Sequence, residues 1–211
     1  MKNLLILLLI SFFKFDDCSA QNSSHSVSYV SPELKDKAFL NNYFKATFDT
    51  LQKRVNGLSQ AQLNFKPAAD KWSVNQCLEH IILTEKMLFK FAKEAVEKPA
   101  NPDKRKDIKS TDDDILKGIT DRSFKAKAGD ELTGNGKYSN ASIALNDLMN
   151  DRTQIMEYIK NQSVEDLRNH ISDSPFGPID AYQSLLFVAG HTARHTLQIE
   201  EVMSNKNFPA K

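Results

Sequence analysis

Cysteine is nearly missing from this chain: Cys18 and Cys77 are the two in 211 residues, and the first lies in a leader-like stretch. Once that stretch is cut away no intrachain disulfide can form, so packing must hold the fold even in an oxidising compartment. An excess of one charge is missing as well, because 28 Lys and Arg stand against 27 Asp and Glu for a formal +1. A chain so balanced gives no electrostatic ground for a nucleic-acid partner or a charged membrane surface. The longest apolar run, Leu4 to Phe13, falls well short of the roughly twenty residues of a membrane helix. No later segment approaches that length, which excludes an integral membrane protein of the helical kind. Nothing alternates with period two for long enough to require a sheet, and neither an internal repeat nor a low-complexity tract is present.

What is present begins with MKNLLILLLISFFKFDDCSA, residues 1–20. A short basic start, an apolar run and a small-residue end are the layout of a secretory signal peptide. The expectation is an exported protein, periplasmic or secreted, cut near Ala20. Anchoring by a lipid on Cys18 fits poorly, since Phe15-Asp16-Asp17 stand where small and aliphatic residues are expected. Lys2 and Lys14 cancel Asp16 and Asp17, so the mature chain keeps the +1 of the whole. Residues 21–30, QNSSHSVSYV, are polar and serine-rich and read as a flexible lead-in that carries His25. Residues 31–211 are enough for a single domain with a sizeable core.

Helix signals then recur along the chain. Ser31-Pro32-Glu33 reads as a helix start, with serine as cap and proline at the first helical position. Leu40, Tyr43, Phe44, Thr47, Leu51 and Val55 follow at helical spacing until Asn56-Gly57. Ser73 and Gln76 spell a capping box, with Trp72 placed to staple onto Cys77. The helix they start runs through Leu78, Ile81, Met87, Leu88 and Phe91 to about Lys98-Pro99. Residues 98–137 are rich in charge, Pro and Gly, with a short helix expected from Asp112 to Phe124. A third long helix, about Asn140 to Lys160, turns Ile143, Leu148, Ile155 and Ile159 inward. Ser163 caps a short helix to His170, the loop Ser174 to Pro178 breaks the chain, and a last helix runs from about Asp180 to Met203. Four long amphipathic helices and one long crossover connection predict an all-α four-helix bundle.

The last helix carries GHTARHTLQIEEV, residues 190–202, with His191 and His195 four apart. At 100° per residue the two side chains lie about 40° apart, one turn above the other on one face. That face also holds Ser184, Phe187, Val188, Gln198 and Val202, a largely core-facing stripe. Two imidazoles buried there need partners. Ordinary hydrogen bonds would supply them, and so would one metal ion, since neutral nitrogens at i and i+4 can converge on it. His80 stands on a similar inward stripe of the second long helix, with Ser73, Gln76, Thr84, Met87 and Phe91. Alone it reads as a satisfied core histidine; three histidines on two inward stripes make a joint case for a site. A zinc-protease motif is excluded, because H-E-x-x-H requires a glutamate where this chain has Thr192.

KWSVNQCLEHIILTE, with a tryptophan ahead of the helix and a histidine eight residues on, and the R-H-x-x-Q-I core of GHTARHTLQIEEV together resemble the DinB/YfiT-like metalloenzymes. The resemblance covers roughly Leu34 to Met203 and is specific in those two segments. It implies a four-helix bundle, a divalent transition metal such as zinc or nickel, and His80, His191 and His195 as its ligands. It also implies metal-dependent hydrolysis, or transfer of a low-molecular-weight thiol, on a small-molecule substrate, and it allows a homodimer. Three neutral nitrogens leave a coordination position open, as catalytic zinc sites do. Export fits hydrolysis better than thiol transfer, since the thiol cofactors used by relatives are cytoplasmic. A metal-binding or small-ligand-binding module without turnover is the alternative, because no general base can be named from the sequence.

Helical phase nominates further residues around the site. Gln76 and Ser73 lie one and two turns before His80 and could reach its ring, although both also serve the cap. Gln198 shares the His195 face and could orient that ring, or could pair with a neighbouring helix. Glu79 and Arg194 point off the shared face, where a surface or interhelical ion pair is the default. Cys77 reads as a small buried hydrophobe rather than a ligand or nucleophile, and His170 as a surface or helix-terminal residue, or part of a pocket rim.

Overall fold

A computed structural model describes residues 35–125, 127–174 and 177–210. The expected signal peptide, the lead-in and the Ser31-Pro32-Glu33 start all lie outside these. Helix α1 spans Lys37–Val55, α3 Val74–Val96, α5 Ala141–Asn161 and α7 Ala181–Met203, and these four form the bundle. Short helices α2 (Gln60–Asn64), α4 (Asp112–Thr120) and α6 (Val164–Arg168) lie in the connections. Each long helix begins on a side-chain cap that satisfies its open N–H groups: Asp36, Ser73, Asn140 and Asp180. For α1 the cap is therefore Asp36, not Ser31, because Asp36 itself is extended and the helix begins after it.

Which ends of the helices meet follows from the core, which is divided in two. One apolar cluster joins the C-terminal half of α1 (Phe48, Leu51, Val55), the start of α3 (Val74, Cys77, Leu78, Ile81), the start of α5 (Ala144, Leu148) and the end of α7 (Ile199, Val202). The other joins Leu40 and Phe44 of α1, Ala92 of α3, Ile155 and Ile159 of α5, and Leu185, Leu186 and Val188 of α7. Helices α3 and α5 thus both start at the same end of the bundle. Their connection must travel the bundle's full length back, and that is why residues 97–140 are long. Around the bundle α7 packs on α1 and α3, and α5 packs on the same two.

Between the two clusters lies a polar layer. Arg152 of α5 donates through Nε and Nη2 to both carboxylate oxygens of Glu85 on α3, at 2.8 and 3.0 Å. Nη1 donates to Phe44 O and Thr47 Oγ1 on α1, and Nη2 also donates to Thr192 Oγ1 on α7 at 3.0 Å. One guanidinium therefore bonds all four helices, and both ends of the ion pair are buried.

The crossover is pinned to the bundle instead of trailing over it. Its helix α4, capped by Thr111 and ending at Thr120 rather than Phe124, packs on α7. Gly190 permits this approach, since a Cβ there would stand 2.5 Å from Ile119 Cγ2. Asp112 accepts from Arg168 of α6 at 2.6 and 2.8 Å, and Arg168 also donates to Asp180.

Three expectations need correction. The loop expected at Ser174 to Pro178 overlaps two strands: Ile171–Ser174 (β1) and Gly177–Asp180 (β2) pair antiparallel, with Ile171 opposite Asp180. The strands are four residues each, too short for alternation to show in sequence. Ile143 and Phe91 are exposed at 45% and 50%, because each lies at the flank of its helix's apolar stripe. His170 is buried, its ring nitrogens facing Asp166 O at 2.8 Å and Lys98 O at 3.1 Å, so it ties α6 to the crossover.

Candidate metal centre

The three histidines stand in the polar layer, where α3 and α7 run side by side. The capping box fixes the start of α3: Ser73 Oγ accepts from Gln76 N at 3.2 Å and Gln76 Oε1 accepts from Ser73 N at 3.1 Å. His80 follows two turns on, its ring turned toward α7, where His191 and His195 come up one turn apart. His80 Nε2 lies 3.2 Å from His191 Nε2 and 3.1 Å from His195 Nε2. All three residues are buried. They make up the one cluster of His, Cys, Asp or Glu able to hold a metal ion among the described residues.

The outer nitrogens decide what faces the centre. His80 Nδ1 lies 2.7 Å from Leu132 O, and a carbonyl can only accept, so Nδ1 carries the proton. His195 Nδ1 lies 2.8 Å from Gln198 Oε1, which sets the same tautomer there. Nε2 of both rings is then a bare lone pair, and these two lone pairs point at each other across 3.1 Å. No proton lies between them to make a hydrogen bond. His191 Nδ1 is buried with no hydrogen-bond partner among the described residues.

Protonation does not relieve this easily. Burial holds all three imidazoles below their ordinary range, His191 and His195 well below it, and neighbouring histidines push those two further down. For His80 the Leu132 carbonyl opposes the shift. Three neutral donors converging in a buried place are the ligand state that a transition metal requires. The spacing fits as well. Nitrogens about 2.1 Å from one ion stand roughly 3.0 Å apart for right-angled coordination and roughly 3.4 Å apart for tetrahedral, and the observed 3.1 and 3.2 Å fall between. An all-imidazole set suits zinc, nickel, copper or iron.

Of the other nominated residues, Gln198 reaches His195, as just described. Gln76 and Ser73 do not reach the rings. Both are used in the cap, and the Gln76 amide donates to Gly134 O at 3.0 Å. Glu79 makes no ion pair among the described residues: it is 6% exposed and accepts from the backbone of Asn135, Gly136 and Lys137. Arg194 donates to the carbonyls of Ile119, Asp121 and Phe124, so it also grips the crossover. Cys77 is buried among apolar residues, and burial pushes its thiol up to about 12, which leaves it inert. His170 lines a separate cavity with Lys98, Asn101 and Ser172, away from the three rings.

Three features of the centre escaped sequence reasoning. Trp72 is more than a staple: its ring centroid is 4.8 Å from that of His80 and 6.3 Å from that of His195, so it walls the site. Its place just before the α3 cap was a signal, since that position lies beside the ligand two turns on. The carbonyl of Leu132 gave none, because a backbone acceptor has no residue type. Glu85 follows His80 by five residues on α3 and Thr192 follows His191 on α7, and Thr192 Oγ1 donates to Glu85 Oε2 at 2.8 Å. Glutamates on inward faces are signals of this kind only when a buried cation is found for them. Glu85 spends both carboxylate oxygens on Arg152 and Thr192, and Glu79 spends Oε2 on three backbone amides.

Residues 43–199 match the sequence model of the DinB superfamily. Over 148 residues the chain is 28% identical to the uncharacterized protein YuaE of Bacillus subtilis (strain 168), which covers 70% of this chain and 87% of that one. In structure it is similar to YfiT from Bacillus subtilis, described as a probable metal-dependent hydrolase with an unusual four-helix bundle topology. That superposition has a TM-score of 0.56 and 14% identity and covers 86% of this chain and 95% of YfiT, a likeness of fold.

Proposed function

This chain belongs to the DinB superfamily, and on that premise we propose that His80, His191 and His195 hold one divalent transition metal, zinc or nickel, in an exported metal-dependent hydrolase acting on a small molecule. The observation that carries this reading is the pair of lone pairs facing each other across 3.1 Å in a buried site, an arrangement that a shared cation relieves. The description of YfiT as a probable metal-dependent hydrolase points the same way. When bound, a metal with a vacant position supplies a Lewis acid and lowers the pKa of a bound water toward neutrality. The chain's own residues do the rest: Leu132 O and Gln198 fix the rings, Trp72 shields one side, and burial keeps the imidazoles neutral. Export rests on residues 1–20 and would favour hydrolysis over transfer of a cytoplasmic thiol.

Protein purified without an affinity tag is expected to carry close to one transition metal per chain. His80→Ala and His191→Ala are each expected to lose it while helical content stays. A chain that remains metal-free after zinc and nickel are supplied overturns the proposal. One observation favours a second reading: Glu85 is bound by Arg152 and Glu79 Oε2 by backbone amides, so neither glutamate stands out as a general base for the rings, as suits a module that binds without turnover. Ester, amide and thiol-conjugate substrates assayed with and without a chelator separate the two. Chelator-sensitive turnover of any substrate supports the hydrolase or the thiol transferase according to which is turned over, and uniform inactivity of the metal-loaded protein supports the binding module.

A further inference from the structure

We propose that Glu79 is a positioning residue for the metal centre: it anchors the 132–138 segment of the crossover, and that segment holds His80 in the one tautomer that offers Nε2 to a metal. The inference rests on the three-histidine reading above and extends it to a residue that touches neither metal nor substrate.

The anchor is visible atom by atom. Three successive backbone N–H groups, of Asn135, Gly136 and Lys137, donate to Glu79 Oε2 at 2.7, 2.8 and 3.3 Å. Such a cradle of peptide dipoles is an anion nest, and a charged acceptor strengthens each bond. The segment can wrap the carboxylate because Gly136 takes a φ of +78°. Two neighbours on α3 complete the grip. Asn75 donates to Gly136 O at 2.8 Å and Tyr138 O at 2.7 Å and accepts from Tyr138 N, while Gln76 donates to Gly134 O. Gly134 lies so close that a Cβ would stand 2.3 Å from Gln76 O. Two residues upstream of this grip is Leu132, whose carbonyl meets His80 Nδ1.

That carbonyl is decisive because the other group at Nδ1 is ambivalent. Thr84 Oγ1 lies 3.3 Å from His80 Nδ1, and a hydroxyl can accept from Nδ1–H or donate to a bare Nδ1. Left with Thr84 alone, His80 can carry its proton on Nε2, where it blocks the metal face. Leu132 O permits only the productive tautomer, and it is there because Glu79 holds the chain that carries it.

The test uses the metal-free protein and zinc. Long-range 1H–15N spectra of metal-free wild type are expected to show His80 protonated at Nδ1. Glu79→Ala is expected to shift it toward the Nε2–H form and to weaken zinc binding, measured by competition with a chromophoric chelator, by about 10- to 100-fold. Gly134→Ala, which pushes the same segment off α3 from its other side, is expected to give the same two changes. Glu79→Gln keeps an acceptor oxygen in the nest and should stay close to wild type. If both disrupting variants keep the wild-type tautomer and zinc affinity, the proposal is overturned. Should one fail to fold, the other decides alone. A wild type that binds neither zinc nor nickel defeats the three-histidine reading, while the tautomer still decides whether Glu79 positions His80.

Discussion

Replacing Glu85 with leucine removes the anion that Arg152 was buried to meet. Glu85 is 0% and Arg152 3% exposed, so the guanidinium left behind cannot turn to water without opening the bundle. It would keep Phe44 O, Thr47 and Thr192 as acceptors but lose both carboxylate bonds. Breaking a buried pair in this way costs about 3–5 kcal/mol, a large share of the roughly 5–15 kcal/mol that a domain has. At about 2–4 °C per kcal/mol for a chain of this size, the melting temperature should fall by roughly 6–20 °C. Equilibrium urea unfolding of the metal-free protein measures the loss without interference from ligand binding. The partner experiment, Glu85→Leu with Arg152→Met, removes both charges together. What remains is the cost of the Thr47 and Thr192 hydroxyls, about 1–3 kcal/mol, so the double variant should be more stable than Glu85→Leu alone. A single-variant loss below about 1 kcal/mol, or a double variant that loses the sum of the singles, would refute the claim that this pair is dry and coupled.

The remaining predictions concern the site itself. The unfolded chain takes up protons on its histidines near pH 6.5, whereas burial keeps the folded rings neutral to lower pH. The unfolded state thus binds more protons, and the metal-free protein should be fully stable above about pH 6.5 and lose stability as pH falls below it. Urea midpoints that stay level between about pH 8 and pH 5 would contradict this sign. Gln198→Leu removes the acceptor of His195 Nδ1 and should weaken zinc binding by about 10-fold or more, measured by chelator competition, with no change in helical content. Cys77, its thiol pushed up to about 12 by burial, should resist a thiol-reactive disulfide reagent in native protein and react at once in denaturant.

Much of the bundle was legible because its signals are local. Ser73-x-x-Gln76 names its own capping box, and the cap forms as spelled. Leu40, Phe44, Thr47, Leu51 and Val55 recur on one helical face and are buried together. The pairing of His191 with His195 follows from 3.6 residues per turn, and their inward stripe from its apolar neighbours. Helix phase is a coarse guide at the edge of a stripe, however. Ile143 and Phe91 fall there, and tertiary packing left them out.

What could not be read depends on where the chain returns to itself. Phase located Glu79 off the histidine face and implied a surface or interhelical ion pair, yet its partners are three backbone amides 56 to 58 positions on in sequence. Backbone donors and acceptors are the same at every residue, so no sequence pattern announces them. The same holds for Leu132 O, which settles the tautomer of His80. Residues 98–137 looked like a mere connection because charge, Pro and Gly mark irregular backbone. Irregular backbone is also what leaves peptide groups free to bond side chains, since they are not spent on a helix. Leu132 closes a short 3-10 turn, Asp130–Leu132, and a carbonyl at the end of such a turn has no partner within it, so it is open to accept from His80. Control of the metal face from outside the four helices is a consequence of the crossover having to run back along the bundle to start α5.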